Sequence, residues 1–277
     1  MAIESSHTHS LFPFDTYHVR FLVWVALMAN SMSAMDFGPG IFEVDLISPR
    51  NETYTPQTLL PIVFALQNPP LASTLEACIT WNLWEGNNQT SPGSVTDGLL
   101  ELPLLNLSST EPLFVTRFMD TIPYPDGMWT FTWSLQIWNC SQYASQDQLL
   151  STNSTTVFTI NQSGQAPDLV AATSSDMCGT MEASAFNVTA NGGACGFLGP
   201  SPTTNPCAAT VNPSAASSIM AAATAFACDP LERSIYPNVT CPPFSVPSSK
   251  NAGQPRMAAA STWLMLLTMG TALIHCG

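Results

Sequence analysis

Short runs in which apolar and polar residues alternate occupy the chain between Gly40 and about Asn161. In the clearest run, residues 128–138, every second side chain from Trp129 to Ile137 is apolar, and Thr, Ser or Gln stands between them. Because successive side chains of a strand point to opposite faces, this pattern predicts a β-strand with one buried and one hydrated face. The other runs of this kind are residues 41–47, 60–67, 77–84, 99–105, 112–118 and 155–160.

Turn-forming residues separate these runs, as in Pro49-Arg50-Asn51 and in residues 124–127, Tyr-Pro-Asp-Gly. About seven strands in roughly 120 residues, without helical periodicity, predict an antiparallel β-sandwich of the immunoglobulin-like or fibronectin-like type. We expect this mainly β domain to span residues 35–162.

The composition changes after residue 162 toward Ala, Ser, Thr, Gly and Pro. One helix is predicted from Pro213 to about Ala227, with Asn212 as its N-cap. We expect residues 163–241 to form a small disulfide-rich module with this helix near 213–227, followed by a stalk over residues 242–251. The apolar stripe of the helix consists of Ile219, Met220, Ala223 and Phe226.

The first residues of the chain have the order of a secretory signal peptide. Arg20 precedes an apolar run from Phe21 to Met28, and small residues up to Ala34 follow it. The run is too short to span the hydrocarbon core of a membrane, which needs about 20 apolar residues. We therefore expect residues 1–34 to be a signal peptide.

The last residues have the order of a signal for a glycosylphosphatidylinositol (GPI) anchor. Small residues at 251–253 precede a polar spacer and an apolar tail over residues 262–274. A transmembrane helix is the alternative, but no Lys or Arg follows the tail, as a cytoplasmic flank normally requires. We predict lipidation at Asn251, with residues 252–277 as the propeptide.

Both predicted processing steps change the chemistry that is available to the mature chain. All four histidines lie in the two segments that would be removed: His7, His9, His18 and His275. A mature chain without histidine excludes Ser-His-Asp catalysis, Cys-His catalysis and zinc sites built on histidine.

The chain is acidic, with a formal net charge of −13 and only 9% charged residues. Binding to phosphate backbones needs clustered Lys and Arg. Nucleic acid and acidic polymers are therefore excluded as partners. The cationic side chains between the two processing signals are Arg50, Arg117, Arg233 and Lys250.

Asn-X-Ser/Thr triplets, the acceptors for N-glycosylation, occur throughout the chain between the processing signals. Their number predicts a glycoprotein of the secretory pathway. We predict glycosylation at Asn51, Asn88, Asn106, Asn139, Asn153, Asn161, Asn187 and Asn238.

The cysteines between the processing signals are expected to form disulfides, because the compartment is oxidising and no CxxC metal-binding spacing occurs. Cys78 with Cys140 is the preferred pair, and the other pairings stay open. The odd number leaves either a free thiol or an intermolecular bridge. The candidates are Cys78, Cys140, Cys178, Cys195, Cys207, Cys228 and Cys241.

Aromatic and acidic side chains are the candidate ligand-binding and catalytic groups. Trp84 and Trp138 lie on the polar faces of their strands and are candidates for stacking on sugar rings, whereas Trp81, Trp129 and Trp133 are expected in the core. Glycoside hydrolysis would need two carboxyls about 5–10 Å apart, and no spacing establishes such a pair or a metal or cofactor site. The acidic candidates are Glu43, Asp45, Glu76, Glu85, Asp97 and Glu101.

Several strings resemble a family of uncharacterised secreted fungal proteins over roughly residues 38–250. They are Phe-Glu-Val-Asp-Leu at 42–46, Pro-Arg-Asn at 49–51, Pro-Ile-Val-Phe-Ala at 61–65 and Trp-Asn-Leu-Trp at 81–84. The resemblance implies a fungal surface or secreted protein with a disulfide-bearing domain. It implies no activity and no catalytic residue.

Together these features predict a non-enzymatic, GPI-anchored glycoprotein of the cell surface or cell wall, acting in adhesion or glycan binding. Its expected place is extracellular, on the outer leaflet of the plasma membrane, with cell-wall polysaccharide as a partner. The alternative is a secreted carbohydrate-active enzyme that uses paired carboxylates.

Overall fold

A computed structural model of the chain describes residues 38–87, 89, 93–109, 111–141, 147–191, 196–230 and 232–242. The predicted signal peptide and the predicted anchor signal with Asn251 lie outside these residues, as do Asn88 and Cys195. Among the described residues, no helix is long and apolar enough to cross a membrane.

The described residues are mainly β, as the alternating runs predict. The strands are β1 (Gly40–Ser48), β2 (Thr53–Tyr54), β3 (Leu60–Gln67), β4 (Cys78–Glu85), β5 (Thr96–Glu101), β6 (Leu113–Met119), β7 (Gly127–Asn139), β8 (Gln148–Ile160), β9 (Glu182–Asn191) and β10 (Gly196–Leu198). The α-helices are α1 (Pro70–Thr74), α2 (Leu169–Ala172) and α3 (Pro213–Ala227), and the 3-10 segments are Leu102–Leu104, Cys178–Thr180 and Pro206–Ala208.

Each predicted strand exists, but three features differ from the prediction. The predicted strand over 99–105 ends at Glu101 in a 3-10 turn that contains Pro103, since proline has no N–H for the ladder. Strand β8 begins at Gln148 rather than 155, in a stretch of Ser, Thr and Asn that lacks apolar alternation. Strands β9 and β10 were not predicted, because their sequence is rich in Ala, Gly and Asn.

The strands form one mixed sheet in the order β2-β8-β7-β10-β9-β1-β3-β6, with β4 paired to β7 and β5 to β4. The pairs β2–β8 and β7–β10 are parallel, so the prediction of a purely antiparallel arrangement is wrong. Antiparallel pairing follows from hairpin connections. The two parallel pairs join strands that are distant in sequence, where no hairpin sets the direction.

The core is built on the apolar face of β7, whose five predicted core residues are all buried. Phe64 of β3 packs edge-on against Trp133, with ring centroids 5.3 Å apart. Side chains from β1 and β3 thus meet side chains from β4 and β7 in one cluster. Burying each of these large apolar side chains contributes about 1.5–3 kcal/mol.

Strands β1 and β3 are also buried on their second face. Ile47 and Val63 pack there against Leu169, Val211 and Ile219, which all belong to the C-terminal part of the chain. Strand β9, from the same part, pairs with β1 over seven residues. The segment assigned to a second module therefore shares the sheet and the core with the first.

Helix α3 has the bounds that the sequence predicts. The Asn212 side-chain oxygen accepts a hydrogen bond from the Ala215 N–H at 2.9 Å, which caps the helix. Its buried stripe is Ile219, Ala223 and Ala227, whereas the predicted stripe residues Met220 and Phe226 are 38% and 42% exposed.

Two disulfides, Cys178–Cys207 and Cys228–Cys241, hold this C-terminal part. Cys78 and Cys140 are also disulfide-bonded, and none of the described cysteines is free. Pairing of Cys78 with Cys140, and the role of the odd cysteine, stay predictions.

The close approach of β5 to a core tryptophan gives a stability prediction. Gly98 faces Trp81 across the β4–β5 pair, and an added Cβ would overlap the indole ring. Trp81 is only 6% exposed, so it cannot move away freely. We expect Gly98→Ala to lower the free energy of unfolding by about 1–3 kcal/mol, measured by urea denaturation.

The control is Gly179→Ala, where an added Cβ meets nothing within 4 Å. It should stay within about 0.5 kcal/mol of the parent chain, as surface substitutions usually do. Equal stability of the two variants would contradict the predicted overlap.

Candidate functional site

One face of β4, β7 and β8 is polar and accessible. Residues directly opposite each other in an antiparallel pair share a face. Ser134 of β7 faces Thr80 of β4 on one side and Asn153 of β8 on the other. We call this surface the polar face. Its half-buried members are Thr80, Asn82, Thr132, Ser134 and Gln136, and its exposed members are Ser151, Asn153 and Thr155.

The two candidate ligand aromatics, Trp84 and Trp138, stand at opposite ends of the polar face. Trp84 faces Thr130, and Trp138 follows eight residues after Thr130 on β7. At about 3.4 Å per residue, the two ends are about 27 Å apart. Both indoles are half-buried, and the Nε1 atom of each is buried without an acceptor among the described residues. Trp81, Trp129 and Trp133 are in the core, 6%, 1% and 2% exposed.

A depression of about 330 Å³ lies in the middle of the polar face. Hydroxyl and amide side chains line it, and none of the described lining residues is charged. Such groups both donate and accept hydrogen bonds, so the depression suits a neutral ligand rich in hydroxyl groups. The contribution of β8 was missed from sequence, because residues 148–154 carry no apolar alternation that would mark them as a strand.

Asp97 and Glu101 are too far apart to act together as a catalytic pair. Asp97 and Glu101 lie on one face of β5 but four residues apart, which is about 14 Å. Glu85 and Asp97 are exposed, and Glu76 and Glu101 are half-buried. This spacing exceeds the separation of about 5–10 Å that glycoside hydrolysis needs.

Glu43 and Asp45 are neighbours on the outer face of β1. They are 2% and 0% exposed. The Asn205 N–H donates to both Glu43 carboxylate oxygens at 2.7 and 2.9 Å. The Gln67 side-chain amide donates to Asp45 Oδ2 at 2.8 Å and to the Asn205 carbonyl at 3.0 Å. The pair therefore holds the segment around Asn205 onto the sheet.

The ionisation of this pair is shifted by its enclosure. The pKa of Asp45 is raised to about 8, mainly by burial; the hydrogen bond from Gln67 opposes this shift, and the nearby Glu43 adds to it. A protonated carboxyl beside a second carboxyl is the arrangement of a general acid and base. In the conformation described, however, both groups are closed to a substrate.

A cleft of about 550 Å³ opens between β8 and the turn after β1, where Arg50 lies. The Arg50 guanidinium donates to the carbonyls of Ala172 and Met177 at 2.8 and 3.1 Å, and to the Thr180 hydroxyl. Its Nε lies 3.8 Å from Glu52. Because these contacts use the guanidinium donors, Arg50 links the residues around Cys178 to the turn after β1.

The described glycosylation candidates lie mostly at turns and strand ends. In two of them the hydroxyl of the triplet donates to the asparagine side chain, from Ser108 to Asn106 at 2.8 Å and from Ser163 to Asn161 at 2.6 Å. Asn153 lies on the polar face itself. Asn51, Asn106, Asn153 and Asn238 are exposed, and Asn139, Asn161 and Asn187 are half-buried.

No group of three or more Cys, Asp, Glu or His side chains within the described ranges is placed to hold a metal ion.

The raised pKa of Asp45 gives a prediction about pH. A carboxyl with a folded-state pKa of about 8 and an unfolded value of about 3.9 binds more protons when folded. The contribution of this carboxyl to the free energy of unfolding is then fully present below about pH 4, and it is lost as the pH rises toward 8. We expect the parent chain to lose on the order of 1–3 kcal/mol of unfolding free energy between pH 5 and 8, and Asp45→Asn to lose clearly less.

Urea denaturation at the two pH values measures this difference. Asp97→Asn, at an exposed position, is the control and should keep the pH dependence of the parent chain. If Asp45→Asn and the parent chain showed the same pH dependence of stability, that dependence could not be assigned to Asp45.

Comparisons with known proteins place the chain in a family. The profile of the family described as "Domain of unknown function (DUF7136)" matches residues 37–241. No curated protein and no solved structure matches the chain. The matched range runs from the start of β1 to Cys241 and takes in the polar face, the buried carboxyl pair and both described disulfides. The chain therefore belongs to the DUF7136 family of unknown function.

Proposed function

We propose that this protein is a non-enzymatic, GPI-anchored glycoprotein of the cell surface or cell wall that binds neutral glycans through the polar face. The observation that carries the proposal is the uncharged row of hydroxyl and amide side chains between Trp84 and Trp138. The anchor at Asn251 and the signal peptide come from the sequence patterns at the two ends.

The chemistry of the polar face matches that of a neutral polysaccharide. Sugar hydroxyls both donate and accept hydrogen bonds, as do the Thr, Ser, Asn and Gln side chains of the face. The apolar faces of sugar rings pack on indole rings, which supply large contact areas. A distance of about 27 Å between Trp84 and Trp138 favours a chain of several sugars over a single one.

The finer architecture belongs to the same proposal. We interpret β1, β3, β6 and β9 as one layer of an immunoglobulin-like sandwich, and β4, β5, β7 and β8 as the other. The packing of Phe64 on Trp133 supports this interpretation. The polar face is then the outer surface of the second layer.

Binding is favoured over hydrolysis by the positions of the carboxylates. Glu43 and Asp45 are neighbours on β1, and they are buried on the opposite side of this strand from the shared core. The depression in the polar face has no charged residue among its described lining residues. The secreted carbohydrate-active enzyme remains the alternative, without an observation that favours it.

A binding test addresses the polar face directly. The full chain, purified as the mature glycoprotein, is tested on a panel of cell-wall polysaccharides. The parent chain identifies the polysaccharide that is bound. We expect Trp84→Ala and Trp138→Ala each to weaken binding to it at least tenfold, because each removes an aromatic contact. Ile122→Ala, at a 50% exposed position off the polar face, is the control.

A second variant uses the glycan predicted on the polar face. Asn153→Gln keeps a side-chain amide but removes the asparagine to which the glycan would be attached. Polysaccharide binding should then be equal or stronger, because no glycan covers the β8 side of the polar face. The proposal would be overturned if the parent chain bound no wall polysaccharide, or if both tryptophan variants bound as the parent chain does.

The proposed anchor is tested separately, on cells that express the full precursor. Phosphatidylinositol-specific phospholipase C should move the protein from the membrane fraction to the medium, and deletion of residues 262–274 should yield an unanchored product. A mature membrane-bound form that still contains Arg256, detected by mass spectrometry, would instead show a transmembrane segment.

A further inference from the structure

A second depression, distinct from the polar face, lies beside the edge strands β5 and β6 and the end of α3. Its volume is about 260 Å³. It is smaller than the roughly 300–1,000 Å³ of pockets for drug-sized ligands, so it fits a compact molecule. We call it the edge groove. The residues that line it include Trp81, Asp97, Arg117, Phe118, Phe226 and Tyr236.

The walls of the edge groove are aromatic and partly open to solvent. Phe226 is 42% exposed and lies edge-on to Tyr236, with ring centroids 6.2 Å apart. Phe118 and Tyr236 are half-buried. Aromatic surface that stays accessible around a concavity is typical of binding sites rather than of an idle surface.

Arg117 is a half-buried cation without an acidic partner among the described residues. The described ion pair is that of Arg50 with Glu52. The hydrogen bond that Arg117 makes within the described residues runs from Nη1 to the carbonyl of its neighbour Thr116, at 2.9 Å. A guanidinium has five N–H donors, so most of them are left for solvent or a ligand.

The position of Arg117 directs it toward the groove. On β6 it lies two residues from both Val115 and Met119, whose buried side chains face the core. Since residues two apart share a face of a strand, Arg117 lies on the inward face of this edge strand. Burial lowers the pKa of Arg117 and Tyr236 opposes that shift. A partly desolvated cation is costly unless something compensates it.

An inward-pointing charge on an edge strand also discourages pairing with another chain. Strand β6 does end the sheet order, so this role accounts for a charge at position 117. It does not account for the aromatic residues Phe226 and Tyr236 that line the same groove.

We propose that the edge groove binds a small aromatic carboxylate, whose carboxylate pairs with the Arg117 guanidinium while its ring packs against Phe226 and Tyr236. Arginine matches a carboxylate with two parallel N–H···O bonds. This site does not depend on the glycan-binding proposal.

The test compares benzoate with its uncharged isostere benzamide. The mature full chain is titrated with each compound by isothermal calorimetry, with intrinsic tryptophan fluorescence as a second readout. We expect benzoate to bind at least tenfold more tightly than benzamide. Arg117→Gln should abolish this preference for benzoate. Phe226→Ala should weaken the binding of both compounds but keep the preference for benzoate.

Arg233→Gln is the matched control, because it removes an exposed arginine that does not line the groove. It should retain tight benzoate binding. Equal binding of the two compounds to the parent chain, no binding of benzoate, or a preference that survives in Arg117→Gln would each overturn the proposal. Polysaccharide binding should be unchanged in Arg117→Gln, so the failure of one site is distinguishable from the failure of the other.

Discussion

Burial of β1 and β3 on both faces is the constraint on which the rest of this structure depends. One face of these strands packs against β4 and β7, and the other lies beneath the C-terminal part of the chain. Because every side chain from Glu43 to Ser48 is nearly inaccessible, even the acidic ones must find partners inside. Gln67 and Asn205 supply these partners, and the buried apolar residues offset the cost of enclosing Asp45.

The same constraint separates the structural parts of the protein from the parts left for binding. The C-terminal segment covers the outer face of β1 and β3, so the carboxyl pair and Arg50 serve to hold that segment in place. No described segment covers the outer face of β4, β7 and β8 in this way, and its Ser, Thr and Asn side chains meet solvent. The proposed glycan site therefore lies on the face that the C-terminal segment leaves open, whereas Phe226 and Tyr236 of that segment line the edge groove.

The candidate sites differ in how far sequence reasoning reached them. Trp84 and Trp138 were set apart from Trp133 by their position in the alternation, and the register of β4 and β7 places them on one face. Asp97 and Glu101 could not be judged from sequence, since their separation depends on sharing a straight strand. The edge groove could not be predicted from the sequence, because it brings together Arg117 with Phe226 and Tyr236, which are distant along the chain.

By itself, the sequence determined the local structure: strands wherever apolar residues alternate, and helix α3 from its cap at Asn212 to Ala227. These features depend on neighbours a few residues apart, which a single sequence displays. Only the tertiary structure decided that two strand pairs are parallel, that Asp45 is enclosed and that residues after 162 complete the sheet. The reason is that a period of two shows that a strand has two faces, but not which distant segment will cover either of them.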